Sequence, residues 1–125
     1  MRMSSQEYKN KLLGCWMGKN IGGTIGAPYE WLRQVNDVTF YQKELGGEPL
    51  PNDDLDIQLI WLIAMEEKGV DIDAKLLGEY WMLLVTPHWA EYGNAKLNMR
   101  SGLVPPISGS YSNIYKDSCG AFIRS

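Results

Sequence analysis

Apolar residues run from Ile57 to Met65 with only Gln58 interrupting. A helix built from that run is apolar on every side and belongs in the middle of a bundle. Directly before it stands Pro49-Leu50-Pro51-Asn52-Asp53-Asp54-Leu55-Asp56. Asn52 is a good N-cap, Pro51 stops backward extension, and Asp53 and Asp54 fall in the first turn, where the helix dipole favours negative charge. Upstream, Ser4 or Ser5 caps a helix that begins at Gln6-Glu7. Gly14, Gly18, Gly22 and Gly26 recur along it every fourth residue and so share one face, and Gly22-Gly23 ends or kinks it.

Downstream, Glu67-Lys68-Gly69 stops the central helix. Asp71 or Asp73 caps a third helix through Leu76, Leu77, Tyr80, Trp81 and Leu84, closed by Pro87. A fourth covers Ala90 to Arg100 and ends at Ser101-Gly102. Residues 104–113 read as loop, and 116–125 as the start of a further helix. No stretch alternates as a strand does, so the expected class is all-α, an orthogonal helical bundle.

Composition narrows the function classes. With 125 residues, 45% of them apolar, and five Trp, the chain is one domain at most, with ample core material. A net charge of −3 and a pI near 5.1, without a Lys/Arg cluster, exclude a nucleic-acid partner held through phosphates. No apolar run reaches the ~18–20 residues that span a bilayer, so no membrane partner is expected. Cys15 and Cys119 are too few for a disulfide framework, which fits the cytoplasm.

Candidate chemistry gathers at the two ends of one long, aperiodic stretch, residues 32–51. Loops of that length inside compact domains tend to be functional. At one end Glu30 lies between Tyr29 and Trp31, where apolar rings favour proton transfer by desolvating a carboxyl; a surface Glu beside packing aromatics is the plainer reading. At the other end Asp53, Asp54 and Asp56 crowd within four residues, while the dipole offsets only about 0.3–1 kcal/mol per acid. Hard oxygen donors without His or Cys point to Mg2+, Mn2+ or Ca2+ rather than zinc, and helix capping is the alternative. A glycine stripe costs about 1 kcal/mol per residue relative to Ala, so it implies close approach of another helix or a ligand. His88, without a partner at ligand spacing, reads as a capping or packing residue.

Three stretches together resemble the ADP-ribosylglycohydrolase family. Gly14-x-x-x-Gly18-x-x-x-Gly22-x-x-x-Gly26-Ala27-Pro28-Tyr29-Glu30 is similar to its N-terminal helix and Gly-Ala-Pro-x-Glu loop. Asn52-Asp53-Asp54-Leu55 is similar to its Thr-Asp-Asp-Thr metal motif, and Gly120-Ala121-Phe122-Ile123-Arg124 to its Asn-Gly-Ala-x-Met-Arg segment. The chain departs from the family at Asn52 and Leu55, each in place of Thr, at Gly23 in place of Asp, and at Cys119 in place of Asn.

The resemblance implies an all-α hydrolase that uses two metal ions, usually Mg2+ with Mn2+ as a substitute, to cleave the glycosidic bond between ADP-ribose and a modified residue or small molecule. It makes Asn52, Asp53 and Asp54 metal ligands, Glu30 the acid at the scissile bond, and Gly120 and Ala121 part of the ADP-ribose pocket. The family's later Gly-Asp-x-Asp-type motif has no match after Asp73. The expectation is therefore that residues 1–125 form the N-terminal portion of a larger domain, inactive by itself and self-associating through exposed apolar surface. A non-catalytic helical module that binds a nucleotide or a protein, with the acidic run serving only as a cap, is the alternative.

Overall fold

The computed structural model describes residues 2–38, 48–88 and 90–120. Among these it holds five α-helices and one 3-10 turn, with no strand, in agreement with the all-α class. The chain divides into two compact units, Met1–Leu55 and Asp56–Ser125.

In the first unit, α1 spans Ser5–Gly26. Ser4 is its N-cap: the Ser4 hydroxyl accepts from the Glu7 N–H at 3.2 Å, and the Ser4 N–H donates to Glu7 Oε2 at 2.9 Å. This reciprocal arrangement satisfies donors that a helix start leaves free. The Ser4 N–H, and then the Ser4 hydroxyl donating to Glu7 Oε2 at 3.0 Å, hold the Glu7 carboxyl below its ordinary range. The helix does not end or kink at Gly22-Gly23; it continues to Gly26, and the Ala27 N–H closes on the Gly23 carbonyl. Both glycines stay helical, and the turn that ends α1 is the 3-10 segment Ala27–Tyr29, which carries Pro28 at its start.

The second unit is built around α2 (Asp53–Lys68, which begins three residues before the boundary), α3 (Ala74–Leu84), α4 (Ala90–Arg100) and the single turn α5 (Ile107–Ser110). Asp73, rather than Asp71, caps α3 by accepting from the Leu76 N–H at 2.8 Å. Helix α4 runs between the bounds expected from the sequence and stops at Gly102, whose φ of +88° is left-handed. Residues 107–110, expected as loop, form a helical turn instead, because Asn98 Nδ2 donates to the Ser108 carbonyl at 2.8 Å and to that of Tyr111 at 2.7 Å.

The core of this unit joins Ile57, Val85 and Tyr92, with Ile60, Trp61 and Trp81 against it. Ile57, Ile60, Trp61 and Ala64 follow helical spacing on one face of α2, and Ala64 is fully buried. The other faces of α2 leave the exposed apolar surface expected of this helix: Leu59, Leu62, Ile63 and Met65 are exposed. Trp81 stacks at a tilt between Trp61 (5.9 Å between centroids) and Tyr92 (5.3 Å). The buried Lys96 ammonium donates to the Val85 carbonyl just past the end of α3, where a cation meets the negative end of the helix dipole.

Candidate functional site

The site is built in the first unit from two short segments that leave and re-enter helices. The first is the end of α1 with the 3-10 turn. There Glu30 donates its N–H to the Ala27 carbonyl at 3.3 Å, and the Leu32 N–H closes on the Tyr29 carbonyl at 3.1 Å. Between them Trp31 adopts a φ of +69°, an uncommon conformation for a bulky residue. Trp31 is 86% exposed and Glu30 is exposed too, while Tyr29 is half-buried. Of the two readings of Glu30, the surface one holds and the aromatic enclosure does not, because the turn sends Trp31 outward.

The second segment is the entry to α2. Asn52 Oδ1 accepts from the Asp54 N–H at 3.0 Å and from the Leu55 N–H at 3.4 Å, the bonds of an N-cap. One step earlier, the Leu50 N–H donates at 3.1 Å to the hydroxyl of Thr24, which is only 2% exposed on α1. Asn52 also lies against Gly23: a β-carbon there would sit 2.1 Å from Asn52 Nδ2 and 3.3 Å from its Cγ.

These two segments enclose a cleft of about 300 Å³, lined among others by Gly23, Tyr29, Glu30, Asn52, Asp53 and Asp54. Both loop ends singled out in the sequence thus meet at one place. Asp53 is exposed and Asp54 half-buried. Asp56 lies on α2 but does not line the cleft. Among the described residues no group of three or more His, Cys, Asp or Glu side chains is gathered as a metal would require.

The sequence of the ADP-ribosylglycohydrolase family matches this chain over residues 4–125. The chain belongs to the ADP-ribosylglycohydrolase family. No curated protein and no solved structure matches it. Membership carries an ADP-ribosylglycohydrolase-like hydrolase function in general. The family is helical and generally metal-dependent.

Of the other expected site residues, Gly120 is buried in the second unit, and Ala121 lies outside the described residues. His88 is exposed; its backbone carbonyl, 2.8 Å from where a β-carbon of Gly93 would lie, does the packing. Gly14, Gly18, Gly22 and Gly26 have open space where a β-carbon would stand, so the close approach inferred from the stripe is not made at those four positions. It falls on Gly23, outside the four-residue register. Gly23 and Thr24 are the residues that spacing missed, since what makes them matter is a contact with chain far away in sequence.

Proposed function

We propose that the cleft between the 3-10 turn and the start of α2 is the ADP-ribose-cleaving site of a metal-dependent glycosidic hydrolase. The observation that carries this reading is that Glu30 lines one cavity with Asp53 and Asp54, more distant in sequence, at a helix N-terminus. Mg2+, with Mn2+ as a substitute, suits the donors there: two carboxylates and no sulfur or imidazole, with water able to fill remaining positions around a hard cation. Asp53 and Asp54 would hold it. Asn52, expected as a third donor, already accepts two backbone N–H groups with its amide oxygen, so its fit as a ligand is poorer. When bound, the cation supplies Lewis-acid polarisation of an oxygen next to the bond that breaks.

Glu30 holds and moves the proton at the scissile glycosidic oxygen. Its exposure leaves it within reach of a substrate seated in the cleft. The ADP-ribose-containing substrate is the partner at this cleft. The exposed apolar side chains of α2 pair copies of the protein, which light scattering at several concentrations reads as growing mass. Both cysteines are free, in keeping with a cytoplasmic location. No helix among the described residues is long and apolar enough to cross a membrane.

A release assay on the full-length protein, with ADP-ribose carried on Arg, on Ser and on small molecules, tests the reading. Turnover of at least one substrate is expected, with Glu30→Gln reducing it by about 10²–10⁴-fold. Calorimetry should show Mg2+ heats that vanish in the Asp53→Ala, Asp54→Ala double variant. No turnover of any substrate, or identical heats for parent and variant, overturns it.

A further inference from the structure

We infer that Gly23 and Asn52 are a size-matched pair that sets where α2 begins, and that Asn52 is a positioning residue for the cleft's carboxylates rather than a metal ligand. Asn52 sits with its amide nitrogen in space that any side chain at position 23 would occupy, 2.1 Å from the β-carbon site. The carboxamide cannot simply swing away. Its oxygen is committed to the Asp54 and Leu55 N–H groups, and its Cγ is itself only 3.3 Å from the same site. A methyl group at position 23 therefore displaces the amide and unmakes the cap, which frees the first turn of α2, where Asp53 and Asp54 stand. Thr24, the next residue on α1, holds the approach to that turn through the Leu50 N–H. Two consecutive residues of α1 thus fix the chain entering α2, one by leaving room and one by hydrogen bonding.

The inference rests on the proposed function only for what Asp53 and Asp54 do; the coupling between positions 23 and 52 is a property of the fold. A Gly→Ala change inside a helix normally stabilises it. Gly18→Ala, in open space, should accordingly raise the melting temperature of the full-length protein, while Gly23→Ala lowers it. Gly23→Ala should also weaken Mg2+ binding by about tenfold, the effect of losing roughly one cap. Asn52→Ser keeps a capping hydroxyl and vacates the crowded space, so the double variant G23A/N52S should regain the melting temperature and Mg2+ affinity of N52S alone.

Additive effects of the two changes overturn the pair. Loss of Mg2+ binding in Asn52→Gly, a cap-competent residue without a side-chain oxygen, at unchanged melting temperature overturns the positioning role and makes Asn52 a ligand. Should Gly23→Ala fail to fold by itself, a folded G23A/N52S supports the pair and an unfolded one overturns it. If the parent takes up no Mg2+, it is the cation of the proposed function that fails, and the coupling in cation-free melts still decides the pair.

Discussion

The two units solve the problem of close packing in opposite ways. In the second, Ile57, Val85 and Tyr92 form an apolar core with Trp61 and Trp81 against it. Its Gly78 and Gly93 are both hemmed in: a β-carbon at Gly78 would meet Pro105 Cγ at 2.8 Å, and one at Gly93 the His88 carbonyl oxygen at 2.8 Å. In the first, Leu12, Leu13, Met17 and Ile21 are exposed along α1, and the most buried side chain is the polar Thr24. Four of the α1 glycines face open space, and the one tight contact is made by an amide. The difference teaches where chemistry can be placed: the cleft lies in the unit whose tight contacts are polar, and the unit with the aromatic core holds none of the cleft's carboxylates.

The sharpest way to break the contrast is to remove a large side chain from each unit. Tyr92→Ala, at a residue 1% exposed, should cost about 3–5 kcal/mol in chemical denaturation. Met17→Ala, at a residue 54% exposed, should stay within about 0.5 kcal/mol. Equal losses would remove the distinction.

Next in size is overpacking. Gly78→Ala should destabilise by about 1–3 kcal/mol, since Pro105 and Met99 Sδ (3.3 Å from the added carbon) must move. Gly14→Ala on α1 should instead gain about 0.5–1 kcal/mol, and a loss there would show that the stripe is covered.

Acidity separates the units at opposite ends of the pH scale. In the second, the Tyr80 hydroxyl donates to Glu67, and this hydrogen bond, then burial, pushes its pKa up from 10.0 to about 12. A raised value means that the protonated form is favoured by folding, so the stabilisation is full below pH 10 and is lost between about 10 and 12. Melts across that range should show the loss in the parent and not in Tyr80→Phe. In the first unit, Glu7 is depressed from its ordinary 4.5, so its contribution holds above that value and fades as pH falls through the lowered one. Smallest of all is Ser4→Ala, which should cost about 1 kcal/mol and weaken that acid dependence without abolishing it, since the backbone N–H of residue 4 still donates to Glu7.

Much of the second unit was legible because its signals are local. Asp73 capping, the Gly102 stop and the bounds of α4 follow from caps and from a left-handed glycine, which act within a turn or two. The helical turn at 107–110 was not legible: it depends on two bonds from Asn98, which no periodicity encodes. In the first unit Asn52 as a cap was readable, and so were Glu30 and the acidic run as neighbours of one loop. Gly22-Gly23 misled, because a glycine pair only lowers helix propensity and does not impose a stop without a residue in the left-handed region. The glycine spacing likewise identified a face of α1 but not which glycine is touched, since Asn52 arrives from beyond residues 32–51.

The buried indole N–H of Trp81 meets no hydrogen-bond partner among the described residues, and its ring lies among other aromatic side chains. Trp31, by contrast, stands almost wholly in solvent beside Glu30. Of the five tryptophans, Trp31 and Trp81 are therefore optical probes of opposite character. Light emitted by Trp31 should sit at long wavelength and be extinguished by a dissolved collisional quencher such as iodide, whereas emission from Trp81 should be bluer and shielded. Any ligand that settles over Glu30 then announces itself as protection of the quenchable fraction, read in a cuvette without label or turnover.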